Sequence, residues 1–111
     1  MKFGGTSVGK PERMHEVAML ITKDQESKIV VLSALSGTTN ALVSISNALS
    51  QGDRESAKSQ ITALEDHYKK FCSELVSTPS GTEKAAAIIQ EHFEFLHIIL
   101  KISFSRFCMF Y

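Results

Sequence analysis

The chain has 111 residues, 43% hydrophobic and 22% charged, and its 12 basic and 12 acidic side chains cancel to a formal net charge of zero. This composition fits one small globular domain rather than a disordered segment. No run of either sign points to nucleic acid or an anionic membrane, and the most hydrophobic stretch, residues 93–111, is broken by His97, Lys101 and Arg106, which argues against a membrane span.

The first nine residues hold the most informative segment, Lys2 to Gly9, K-F-G-G-T-S-V-G. Residues 1–4 read as the end of a short strand. Gly4 and Gly5 lack a Cβ, so they can take positive φ and turn their N–H groups onto phosphate oxygens, while Thr6 and Ser7 add short donors and Lys2 a positive charge. A glycine pair also fits a plain turn, and a lysine at position 2 also fits a solvated terminal charge. Residues 4–10 satisfy G-x-x-x-x-G-K, yet Pro11 stands where a P-loop needs Ser or Thr for magnesium. Only three residues precede the loop, too short a strand for a P-loop to hang from, so that motif is excluded.

Pro11 suits the first position of a helix, and Met14, Val17, Ala18 and Ile21 recur on one face, predicting a helix over residues 11–23. Its N-terminus should face the glycine loop and add the positive end of a helix dipole. Residues 29–32, I-V-V-L, are a continuous apolar, β-branched run that predicts a strand covered on both faces of a parallel sheet. Strand, helix and strand make a βαβ unit. A right-handed crossover puts Gly4 and Gly37 on the same carboxyl edge, where ligands bind in open α/β sheets.

From Thr39, Leu42, Ile45 and Leu49 predict a second helix ended by Gly52. Asp53 is placed to cap a third, whose stripe of Ala57, Ile61, Leu64, Tyr68, Phe71 and Leu75 closes before Pro79. Ser80 and Glu83 have capping-box spacing for a fourth helix carrying Ala85, Ile88, Ile89, Phe93, Leu96 and Leu100. The two long helices should form an antiparallel hairpin. Their stripes also admit a helical interaction module, although segments this short better fit helices that cover each other or a neighbouring subdomain.

Cys72 and Cys108 have neither C-x-x-C nor ligand spacing and no signal peptide precedes them, so they read as reduced thiols of a cytoplasmic protein. His15, His67, His92 and His97 all fall in predicted helices without metal-ligand spacing, and no metal site is expected from them.

The string K-F-G-G-T-S-V-G resembles the opening motif of aspartate kinases, members of the amino acid kinase superfamily. Residues 30–40, V-V-L-S-A-L-S-G-T-T-N, resemble that family's next signature, a strand ending in V-S-A-x-S-G-x-T-N. The resemblance implies an α/β fold: the N-terminal part of an amino acid kinase domain over residues 1–105, with parallel strands, flanking helices and a long helical hairpin, followed by an atypical hydrophobic tail at 106–111. It implies transfer of the γ-phosphoryl of ATP, with Mg2+, to the β-carboxylate of L-aspartate, giving 4-phospho-L-aspartate for lysine, threonine and methionine synthesis.

In that scheme Lys2 is the catalytic cation, Lys2, Phe3, Gly4, Gly5, Thr6 and Ser7 bind the ATP phosphates, and Ser33, Thr39 and Asn40 contact substrate. Taken alone, Ser33 also fits a strand-end serine and Thr39 a helix cap. The resemblance further implies a homo-oligomer at full length, with no nucleic acid or membrane partner. Carbamate, glutamate and uridylate kinases of the same superfamily fit less well, because they tend to lack the full F-G-G-T-S string. Family members are usually several times longer, and residues 106–111 do not match the G-E-x-x-S motif expected near this point. The expectation is a chain truncated or altered in frame near Ser105 and inactive by itself.

Overall fold

The computed structural model describes the backbone of residues 1–110 and the side chains of residues 1–102. Its elements run β1 (Lys2–Phe3), α1 (Pro11–Ile21), β2 (Val31–Leu32), α2 (Thr38–Ser50), α3 (Arg54–Leu75) and α4 (Pro79–Phe110). The fold is mostly helical, with one small parallel sheet in which Lys2 lies opposite Val31 and Phe3 opposite Leu32. The amides of Val31 and Ser33 donate to the carbonyls of Met1 and Phe3, fixing that register.

Three helices make the core. Ile45 and Ala48 of α2, Ala57, Ile61 and Leu64 of α3, and Ile89, Phe93 and Leu100 of α4 form one buried cluster. Each large apolar side chain fully buried there contributes about 1.5–3 kcal/mol. A three-residue connection turns α3 into α4, and the pairing is antiparallel: the Tyr68 and Phe93 rings meet edge-on at 5.9 Å, and His97 Nε2 lies 3.6 Å from Glu65 Oε2. The two apolar stripes are thus used against each other and against α2. Cys72 on this hairpin is a free thiol whose pKa is raised by burial, and the Cys108 side chain lies outside the described residues. So do the side chains of the hydrophobic tail at 106–111.

Local chemistry sets the helix ends. Gly52, at φ 74°, ends α2 in a Schellman arrangement, with Gly52 N–H donating to Leu49 O and Asp53 N–H to Ala48 O. Asp53 then caps α3 by accepting from the Ser56 amide at 3.1 Å. The start of α4 differs from the expected capping box. Pro79 occupies the first turn and Thr78 Oγ1 accepts from Gly81 N–H at 3.2 Å, so the cap lies two residues before Ser80.

The strands differ as well. Val31 and Leu32 are half-exposed and Ile29 is 83% exposed, so the apolar run is not covered on both faces. Among the described residues β1 is its one strand partner. The four histidines are all helical, and no helix among the described residues is long and apolar enough to cross a membrane.

Candidate functional site

The glycine loop folds back under its own amides. Ser7 and Val8 N–H both donate to Gly4 O, at 3.0 and 3.2 Å, and Val8 is completely buried beneath the turn. Arg13 Nη1 donates to Thr6 O at 2.8 Å, tying the loop to the first turn of α1. Neither Gly4 nor Gly5 has positive φ, contrary to the sequence expectation, because the turn closes with ordinary handedness. The glycine whose hydrogen matters is Gly9: a Cβ there would lie 2.8 Å from Gly5 O and 3.0 Å from Ser36 Cβ.

That close approach brings the two signature segments together. Gly5 and Thr6 line one side of an open cavity of about 460 Å³, and Ser33, Ala34, Leu35, Ser36, Gly37, Thr39 and Asn40 line the rest. The cavity lies at the carboxyl ends of both strands. Its polar groups are hydroxyls, a carboxamide and backbone, with no titratable side chain among the lining residues.

The first turn of α2 supplies its electrostatics. The N-cap residue is Gly37, at φ 86°, a conformation only glycine adopts without strain, and it offers no side-chain cap. Thr38 N–H donates to Leu35 O and Ala41 N–H to Gly37 O, while the amides of Thr39 and Asn40, which border the cavity, find no acceptor among the described residues. Unmet amides at the positive end of a 13-residue helix favour an anion. The sequence expectation gave this part to α1. Instead, no residue of α1 lines the cavity, and its first turn is engaged with the outer side of the loop through Arg13.

Of the residues singled out from sequence, Gly5, Thr6, Ser33, Thr39 and Asn40 meet at this cavity. Phe3 and Ser7 face the other way, into a pocket of about 190 Å³ shared with Arg13, Glu16, Val17 and Leu20. Gly4 and Lys2 are not among the lining residues. The strand register nonetheless puts Lys2 on the same sheet face as Val31, and alternation puts Ser33 there too. Gly9, Ser36 and the buried Val8 escaped the sequence reading as site residues, whereas Gly37 lies at the cavity on the carboxyl edge where that reading puts it. Gly9 and Val8 lie inside the first motif, and Ser36 inside the second, which was the only available signal.

A mostly helical chain that joins a glycine loop, the end of a small parallel sheet and a helix start without a side-chain cap is an α/β arrangement. The similarity to known proteins is narrower. The chain is 43% identical over 54 residues to a supposedly inactive aspartokinase 3 of Haemophilus influenzae, covering 49% of this chain and 45% of that one. It is 36% identical over 104 residues to the chloroplastic aspartokinase 2 of Arabidopsis thaliana, covering 91% of this chain and 18% of that one. It is also 43% identical over 53 residues to the lysine-sensitive aspartokinase 3 of Escherichia coli, covering 48% of this chain and 12% of that one. The chain is related to the aspartate kinases, and it spans less than half the length of these curated relatives. No protein-family profile matches it.

Proposed function

We propose that this chain carries the phosphate-binding edge of an aspartate kinase and adopts the start of an amino acid kinase fold. The reaction is transfer of the γ-phosphoryl of ATP, bound with Mg2+, to the β-carboxylate of L-aspartate. A carboxylate oxygen forms the new bond to γ-phosphorus as the bond to the ADP oxygen breaks, leaving 4-phospho-L-aspartate and ADP. A carboxylate nucleophile is already ionised at neutral pH and needs no general base, in keeping with a cavity whose lining has no titratable group.

Such a transfer asks for positioning and charge neutralisation rather than covalent help. Gly5 and Thr6 offer donors from one side, and the Thr39 and Asn40 amides from the other, at the positive end of α2. Lys2, on the sheet face shared with Ser33, is the nearest cation along the strand and would lean over the transferring phosphoryl group. Ser33, Thr39 and Asn40 would contact the amino acid or the nucleotide. Product for lysine, threonine and methionine synthesis, homo-oligomerisation at full length and a cytoplasmic setting belong to the same proposal.

The observation that carries this reading is the meeting of both signature segments around one polar cavity. The 111 residues alone would bind phosphate without completing catalysis, which suits a resemblance to a supposedly inactive relative. Isothermal titration with Mg-ATP tests it. Binding that weakens about tenfold or more in Lys2→Ala, the effect of losing a charged hydrogen bond, supports the reading. Absent binding, or binding indifferent to that change, contradicts it.

A further inference from the structure

The first turn of α2 has two faces. Thr39 and Asn40 border the polar cavity, while Thr38 looks away from it into an apolar cleft of about 340 Å³ lined also by Leu42, Leu64, Tyr68 and Phe93. There the Thr38 and Tyr68 hydroxyls share a hydrogen bond of 2.7 Å, spanning 30 residues of sequence and linking α2 to the middle of α3. Because Gly37 offers no side chain to cap α2, this bond anchors the helix start where an N-cap would otherwise act.

Tyr68 is itself held firmly. Its ring meets Phe93 of α4 at 5.9 Å and His67 at 6.2 Å, both edge-on, and it packs against the buried cluster. A packed ring whose hydroxyl finds a hydrogen-bond partner is well suited to fix a backbone position. We infer that Tyr68 is a positioning residue for the anion site, setting through Thr38 where the free amides of Thr39 and Asn40 point. It touches no ligand and acts through the helix start alone. The inference rests on the phosphate-binding reading above.

Titration of Mg-ATP into the 111-residue chain and four variants tests it. Tyr68→Phe keeps the ring and loses only the hydroxyl, and Thr38→Val removes the other partner. Each should weaken binding about fivefold, the effect of one neutral hydrogen bond. The double variant should be no weaker than either single one, and Thr38→Ser, which keeps the hydroxyl, should bind like the parent. The midpoint of thermal unfolding, followed in parallel, should fall by only about 4–8 °C for Tyr68→Phe, the loss of one hydrogen bond, with the chain still folded at the temperature of titration, which separates positioning from loss of fold. Parent-like binding by Tyr68→Phe, or additive losses in the double variant, would overturn the inference alone. A parent chain that binds no Mg-ATP would sink the phosphate reading and this inference with it.

Discussion

The strand-bearing part and the helical part of this molecule use similar apolar side chains to opposite effect. In the helical part Ile61 is 1% exposed and Phe93 6%, each locked between neighbouring helices. In the strand-bearing part Ile29 is 83% exposed and Val31 53%, although their run is the most continuously apolar β-branched segment in the chain. The helices complete their own core, whereas the sheet edge is built for its cavity and for the register that sets it. Stability therefore resides in α2, α3 and α4, and the proposed phosphate contacts lie in the glycine loop and the first turn of α2, at the edge of that core.

That contrast can be broken in four places. Phe93→Ala empties a site at the junction of α3 and α4 and should cost about 3–5 kcal/mol in denaturant unfolding. Gly9→Ala should cost about 1–3 kcal/mol, because its Cβ meets the Gly5 carbonyl and one of the two must move. Unlike Phe93→Ala, it should also abolish Mg-ATP binding while the helical core stays folded, since the loop can no longer lie against Ser36. Asp53→Ala leaves the Ser56 amide without its cap and should lower stability by about 1 kcal/mol with no effect on binding. Val31→Thr, on the exposed strand, should change stability by less than about 0.5 kcal/mol. A loss from Val31→Thr as large as that from Phe93→Ala would erase the distinction between the two parts.

The helices were legible because an apolar face repeats at helical spacing over many turns. Ile61, Leu64 and Phe93 announce a buried stripe whatever covers it, and Asp53 before a polar first turn announces a cap. Thr78 was harder to read, because Ser80 and Glu83 offer a competing cap and only the placement of Pro79 in the first turn decides between them. The 29–32 run misled for a related reason: a continuous apolar segment says that a strand suits burial, not what lies over it. Positive φ at Gly37 rather than at Gly4 or Gly5 was not legible either. Every glycine permits that conformation, and the choice is made by hydrogen bonds such as Ser7 to Gly4 and Thr38 to Leu35.

At the site, the two signature strings disclosed that Gly5, Thr6, Ser33, Thr39 and Asn40 matter together, and the structure shows them around one cavity. They did not disclose that Phe3 and Ser7 turn toward α1, which follows from strand alternation and from the turn at Gly4. Nor could they show that α2, rather than α1, brings its positive end to the cavity. That depends on Arg13 holding the loop from outside and on the absence of any side chain at Gly37.

The central claim is that the edge formed by the glycine loop and the start of α2 receives phosphate. Backbone amide chemical shifts recorded during titration with Mg-ATP measure this residue by residue. The account predicts the largest saturable changes at Gly5, Thr6, Thr39 and Asn40, with the helical core unmoved. Changes confined to α3 and α4, or none at those four amides at saturating nucleotide, would contradict it.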